Sequence, residues 1–240
     1  LSSPFPHAIL PAMSTSRENP VLKTALVFGA TGLIGSLLVR GLLASPDYAR
    51  VIAVARRPLT LSDPRLTVLI GDLDALPALA PQLVADEVFI ALGTTRAKTP
   101  DEAAYYRIDH DYPVQAARIA RQNGAQAVLL VSAVGANAAS GQFYLRTKGE
   151  AERDIIALDF DKTHIFRPSM IMGERAERRP VERLLVAAAR VVNPLLRGAA
   201  DRYRGIDADA VAQAMIAAAQ TDATKLRIYH WKDMTALLRR

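Results

Sequence analysis

Ala25-Leu-Val-Phe-Gly-Ala-Thr-Gly-Leu-Ile-Gly-Ser36 is a short apolar run that breaks into three evenly spaced glycines, Gly29, Gly32 and Gly35. An apolar run of this length bounded by glycine reads as a buried strand, and the renewed apolar spacing after Gly32 reads as the start of a helix. Each glycine has its own task in such a turn. Gly29 permits the tight reversal, Gly32 lets backbone N–H groups approach phosphate oxygens, and Gly35 lets the new helix pack closely on the strand. Free N–H groups and the helix dipole at that N-terminus favour an anion, so the stretch points to a dinucleotide pyrophosphate. Thr31, Leu33 and Ile34 lie in the same turn and join the three glycines as candidate cofactor-contacting residues.

Outward from this turn the chain alternates strands with helical or turn-rich segments. Val51-Ile-Ala-Val-Ala55, Leu66-Thr-Val-Leu-Ile70, Glu87-Val-Phe-Ile-Ala-Leu92 and Ala127-Val-Leu-Leu-Val131 read as the second to fifth strands. A helix over residues 101–122 ends at Asn123-Gly124, and a second long helix covers 146–158. Strand His164-Ile-Phe166 leads into Arg167-Pro168. Helices are expected over 181–192 and 207–219, and a last strand at Arg227-Ile-Tyr-His230. This order predicts parallel βαβ units in one doubly wound α/β sheet of the Rossmann type. Residues 21–240 form one domain in this reading, with a small C-terminal cap on the substrate side, mainly within 171–240. Residues 1–20 are read as a leader or disordered extension outside the fold.

The chain has 240 residues, half of them hydrophobic, enough to bury the core of one such domain. It has no cysteine, which removes disulfides, thiolate metal ligands and cysteine nucleophiles and suits a reducing compartment. His7, His110, His164 and His230 show no paired ligand spacing, so no metal is expected. No apolar run is long enough to span a bilayer and the N-terminus lacks the order of a secretory signal, which gives the expectation of a cytoplasmic protein. The net charge of +6 is spread along the chain without interleaved aromatic residues, so nucleic acid is not the expected partner. Arg183, Arg190 and Arg197 read as the wet edge of a cap helix in preference to a membrane-surface helix. A homodimer is compatible with the sequence, although no helix marks its interface.

Ser132 follows the fifth strand, and Tyr144 and Lys148 stand four residues apart in Phe143-Tyr-Leu-Arg-Thr-Lys-Gly-Glu150, on one helical face. A tyrosine hydroxyl titrates near pH 10 when unperturbed and exchanges protons poorly at neutrality; an adjacent ammonium favours the phenolate. Lys148 is therefore expected to tune Tyr144 and to hold ribose hydroxyls. Ser132 is expected to hydrogen-bond a carbonyl oxygen and orient it toward a nicotinamide. Glu150 and Glu152 are assigned no chemistry.

The glycine triplet, Gly71-Asp72-Leu73, Ala91-Leu92-Gly93, Ser132, Tyr144 with Lys148, and Arg167-Pro168 together resemble the short-chain dehydrogenase/reductase superfamily. Tyr144-Leu-Arg-Thr-Lys-Gly-Glu-Ala-Glu152 and the Arg56-Arg57 pair resemble an atypical NAD(P)-binding branch that includes the human Tat-interacting oxidoreductase-like protein. The resemblance spans residues 24–171 well and the tail loosely. It implies that Ser132, Tyr144 and Lys148 form the catalytic group. It further implies that Asp72 and Leu73 flank the adenine, that Ala91, Leu92 and Gly93 line the cofactor, and that Arg167 and Pro168 lie beside it. Where the superfamily often carries a helix asparagine for proton relay, Tyr105-Tyr-Arg-Ile-Asp-His-Asp111 offers Asp109 or His110.

Cofactor choice is read from the end of the second strand. A carboxylate there would accept hydrogen bonds from the ribose 2′-OH of NAD and repel a 2′-phosphate. This chain has Arg56 and Arg57, whose guanidinium forks match phosphate, so NADP is preferred over NAD. The sequence thus supports an NADP-dependent oxidoreductase acting on a small carbonyl or alcohol substrate. The alternatives are a non-catalytic NADPH-binding regulator and an epimerase or dehydratase on the same scaffold.

Overall fold

The computed structural model describes residues 22–173, 196–221 and 225–239. The glycine turn joins strand β1 (Lys23–Phe28) to helix α1 (Leu33–Ala44). Along β1, Ala25 and Val27 enter one hydrophobic core while Leu26 and Phe28 enter a second on the opposite face. Successive strand side chains point to opposite faces, so a continuous apolar run signals a strand covered on both sides. β2 (Tyr48–Ala55), β3 (Leu66–Ile70), β4 (Glu87–Ile90) and β5 (Ala127–Val131) follow. β2, β4 and β5 divide their side chains between the two cores in the same way.

Between β3 and β4 lies the short helix α2 (Leu76–Leu79). Between β4 and β5 the chain is helical from α3 (Glu102–Tyr106) through a π-helical turn (Arg107–Asp111) into α4 (Tyr112–Gln122). The Asp101 carboxylate caps α3 by accepting the Ala104 N–H at 2.8 Å. Gly124, at φ 96°, lets the chain reverse after α4, and the Asn123 side chain donates to the carbonyls of Ala80 and Leu83 at 2.7 and 2.9 Å. Helix α5 (Phe143–Ile156) precedes β6 (Lys162–Phe166).

β7 (Ile171–Met172) pairs with β8 (Ile206–Asp207) in a small separate sheet, followed by α6 (Ala208–Ala219), β9 (Leu226–Tyr229) and α7 (Trp231–Leu237). The main sheet has seven strands in the order β3-β2-β1-β4-β5-β6-β9, and every neighbouring pair is parallel. α1 and α6 cover one face, α4 and α5 the other. This is the doubly wound Rossmann arrangement expected from the sequence.

The C-terminal part contributes to the main fold. β9 completes the sheet beside β6, and α6 packs on α1 so closely that a Cβ on Gly41 would stand 2.6 Å from the Ile216 side chain. β9 and α6 thus belong to the main sheet and to the layer that covers it. The described residues between β6 and α6 also include the β7–β8 pair and a 3₁₀ segment at Gly198–Tyr203. The alternating Ala and apolar residues of 208–219 serve a helix buried on the sheet, which sequence spacing does not distinguish from a cap helix. The helix expected over 181–192, with Arg183 and Arg190, lies outside the described residues, as do residues 1–20.

Candidate cofactor and catalytic site

Strand register brings the candidate residues to one edge. Phe28 pairs with Val54 and Ile90, Ala55 with Ile70, Ile90 with Leu130, and Val131 with Phe166. The segments leaving these strands carry Gly29–Gly35, Arg56-Arg57, Asp72, Ala91–Gly93, Ser132 and Arg167. In a sheet of this order the crevice for a ligand opens at the carboxyl ends of the strands, between β1 and β4.

The glycine turn is shaped by contacts that exclude side chains. Gly29 has φ 86°, and a Cβ on it would lie 2.5 Å from the Ala91 carbonyl oxygen. A Cβ on Gly35 would lie 2.0 Å from the Gly29 carbonyl oxygen. Gly32 donates its N–H to that oxygen at 2.8 Å and stands at the N-cap of α1, with no side-chain cap and no acidic residue in the first turn. Thr31 is exposed beside it, Leu33 is half-buried and Ile34 is buried in the core under α1. The uncapped helix end and the glycine cradle fit a dinucleotide pyrophosphate.

Arg56 and Arg57 are both exposed immediately beyond β2. Asp72, also exposed, caps the 3₁₀ turn Leu73–Ala75 by accepting the Ala75 N–H at 2.9 Å. Ala91 and Leu92 are half-buried, and Ala91 donates its N–H to the Phe28 carbonyl at 3.0 Å, tying the β4 exit to the glycine turn.

Ser132 is buried at the end of β5. Its N–H donates to the Phe166 carbonyl at 2.7 Å, whereas its Oγ has no partner among the described residues. A buried hydroxyl without a partner is costly, and an incoming ligand oxygen would satisfy it. Tyr144 and Lys148 occupy the first turns of α5, where a Cβ on Gly149 would meet the Asn137–Ala138 backbone at 2.2 Å, so glycine lets the helix seat tightly against that loop. The Lys148 side chain is 9% exposed and its Nζ lies 2.7 Å from Oδ1 of Asp109, itself 1% exposed. Of Asp109 and His110, the alternatives for the relay residue, the structure brings Asp109 to Lys148. His110 turns away: its Nε2 meets Asp154 at 2.9 Å, its Nδ1 meets Asp111 at 2.8 Å and its ring stacks on Tyr106.

This pairing changes the electrostatics expected for Tyr144. Tyr144 is 43% exposed as a residue, so it is partial withdrawal of its hydroxyl from water that raises the hydroxyl above the ordinary tyrosine value; Lys148 lowers it and Asp109 raises it, with a net upward shift. Tyr105 is displaced the same way, by burial and then by Asp109 and Tyr144, while Arg96 opposes the shift.

Arg167 is engaged by Glu152. Its Nε donates to Oε1 at 2.9 Å and its Nη2 makes a second, shorter bond to Oε2. Glu152, given no role from sequence, is therefore a buried anchor for the β6 exit, and its position one turn after Lys148 was the available signal. Pro168 is buried, and its carbonyl accepts the Val134 N–H at 3.0 Å, linking the loops after β5 and β6.

A family model described as NAD(P)H-binding matches residues 29–222, and the chain belongs to this family. Among curated relatives, the protein fmp52, mitochondrial, of Aspergillus fumigatus is 37% identical over 200 residues, covering 79% of this chain and 84% of that protein. Protein FMP52, mitochondrial, of Candida glabrata is 39% identical over 155 residues, 65% of this chain and 66% of that protein. Among solved structures, MoeE5 in complex with UDP-glucuronic acid and NAD superposes with a TM-score of 0.66 at 22% identity, over 85% of this chain and 75% of that one. DesIV (dTDP-glucose 4,6-dehydratase) from Streptomyces venezuelae, with NAD bound, gives 0.64 at 19% identity, over 90% and 80%. The structural likenesses concern the fold.

The names of the relatives overturn the expectation of a cytoplasmic protein, since both are mitochondrial. Lack of cysteine suits any reducing compartment and selects none. Among the described residues no helix is long and apolar enough to cross a membrane, which likewise leaves the compartment open.

Proposed function

We propose that this protein is an NADP-dependent oxidoreductase of the short-chain dehydrogenase/reductase type, acting on a small carbonyl or alcohol substrate with Tyr144 as general acid and base. It would belong with the atypical NAD(P)-binding branch that includes the human Tat-interacting oxidoreductase-like protein. The observation that carries the reading is the placement of Tyr144 and buried Lys148 on one face of α5, at the sheet edge that also holds the glycine cradle and the unpartnered Ser132 Oγ.

When bound, the dinucleotide supplies or accepts the hydride. The remaining tasks fall to side chains and backbone of this chain. N–H groups at the start of α1 hold the pyrophosphate, and Arg56 and Arg57 receive the 2′-phosphate. Asp72 and Leu73 border the adenine, while Ala91, Leu92 and Gly93 line the crevice, with Arg167 and Pro168 closing its side beyond β6. Lys148 holds ribose hydroxyls, Ser132 Oγ orients the carbonyl oxygen, and Tyr144 exchanges the proton on that oxygen.

The Lys148–Asp109 pair favours a second reading, a regulator that binds the dinucleotide with little turnover, because it weakens the action of Lys148 on Tyr144. Loss of NADPH absorbance across a panel of carbonyl compounds separates the two. For the enzyme, Tyr144→Phe lowers turnover by about 100-fold or more with cofactor affinity nearly unchanged. A Tyr144→Phe protein as active as the parent would remove Tyr144 from catalysis; a parent that binds NADPH tightly and reduces nothing would favour the regulator.

A further inference from the structure

Asp109 stands on the π-helical turn between α3 and α4, and such turns recur at functional sites because they push one residue out of helical register. Its Oδ2 accepts the Thr94 N–H at 2.8 Å, fixing the carboxylate, and its Oδ1 lies 2.7 Å from Lys148 Nζ. The Oδ1–Nζ approach is an ion pair aligned off the hydrogen-bond direction. Both groups are withdrawn from water, so their attraction is weakly screened. Gly93 packs directly on the pair: a Cβ there would come within 3.3 Å of Asp109 Oδ1 and 3.5 Å of Lys148 Nζ. The titratable groups facing this pair are Tyr144 from α5 and Tyr105 from α3, and Arg96 from the loop after β4, paired with Glu102 of α3, acts on Tyr105.

An ammonium alone one turn from a tyrosine draws its hydroxyl toward the phenolate. An ammonium in contact with a carboxylate presents a dipole, whose field falls off faster with distance than that of a single charge. Partial desolvation of the half-exposed Tyr144 raises its hydroxyl, Lys148 lowers it, and Asp109 raises it again.

We infer, on the oxidoreductase reading above, that Asp109 is a positioning residue that clamps Lys148 and keeps Tyr144 in its proton-donating form, committing the site at neutral pH to carbonyl reduction. In that step the C=O π bond breaks. The carbon takes hydride from NADPH, which is oxidised, and the oxygen takes the Tyr144 proton; the resulting phenolate regains its proton from water. Alcohol oxidation draws on the phenolate, so it becomes appreciable only at alkaline pH.

The test is an ultraviolet titration of the Tyr144 phenolate in the full chain, read as the difference from Tyr144→Phe, without substrate. Asp109→Asn keeps an acceptor for the Thr94 N–H and removes the charge; the Tyr144 midpoint should move to lower pH, and Asp109→Glu should restore it. An unmoved midpoint overturns the inference. If Asp109→Asn fails to fold with Lys148 left unpaired, the double variant Asp109→Asn/Lys148→Met replaces it. Its midpoint should lie close to the parent because two opposing charges are gone, of which the lysine's is the larger, and a midpoint well above the parent means that the carboxylate does not offset the lysine field and overturns the inference. The readout needs no turnover. A midpoint that shifts in a protein reducing no carbonyl would therefore sink the oxidoreductase reading and leave the control of Tyr144 by Asp109 standing.

Discussion

Gly35 faces the Gly29 carbonyl so closely that a Cβ on Gly35 would stand 2.0 Å from its oxygen. That contact lets α1 begin directly over the strand exit, which aims its N-terminal N–H groups at the crevice. Gly35→Ala must push the helix off the turn. We expect a loss of about 1–3 kcal/mol from overpacking, with NADPH binding weakened at least tenfold. Urea unfolding and calorimetric titration measure the two effects, and a variant with parental values in both would contradict this role for Gly35.

Arg56 and Arg57 stand exposed beyond β2, where the proposed preference for NADP would be set. A charge-assisted hydrogen bond contributes about 1.5–3 kcal/mol, so Arg56→Glu should weaken NADPH binding roughly 10- to 100-fold and leave NADH within a few-fold. Equal losses for the two nucleotides would show that Arg56 does not read the 2′-phosphate. Absence of binding of either nucleotide to the parent protein would undo the reading of the glycine turn.

The Glu152–Arg167 fork ties α5 to the β6 exit, with the Glu152 side chain 4% and the Arg167 side chain 21% exposed. Removing one member of a buried pair leaves the other charge uncompensated. Because Arg167 is partly reached by water, Glu152→Gln should cost about 2–3 kcal/mol, toward the lower end for such losses. The double variant Glu152→Gln/Arg167→Met should recover part of this. Urea midpoints decide, and additive losses in the two single variants would argue against coupling.

His164 is fully buried in β6, with Nδ1 2.8 Å from the Tyr229 hydroxyl. Burial, reinforced by Lys162 and Arg227, lowers its pKa from 6.5 to about 4. Between those values the unfolded chain takes up a proton that the folded chain refuses. The contribution of His164 is complete above pH 6.5 and is lost as pH falls toward 4, by about 3 kcal/mol. Unfolding measured across this range should show a slope that His164→Leu reduces. An unchanged slope would assign the acid sensitivity to other groups.

β3 and β5 match their expected spans because a short apolar run closed by a turn is a local signal. β2 begins earlier than expected, at Tyr48, whose hydroxyl donates to the buried Glu87 at 2.6 Å; a polar partner supplied by another strand has no local signature. α7 was not expected at all, since its seven residues are held by Met234 in the core and by the His230–Asp233 capping box, not by any apolar periodicity.

By itself the sequence determined the strand–glycine–helix unit, the alternation that makes the sheet parallel, and the placing of Tyr144 and Lys148 on one helical face. Those features depend on residues a few positions apart, where backbone freedom, side-chain period and steric fit act directly. The tertiary structure alone decided that β9 extends the sheet beside β6 and that Arg167 is bound by Glu152. It also decided that Asp109, in preference to His110, meets Lys148. Those outcomes depend on which distant segments share a low-dielectric interior. There a charge must find its counter-charge, and the partner is set by packing between elements rather than by position along the chain.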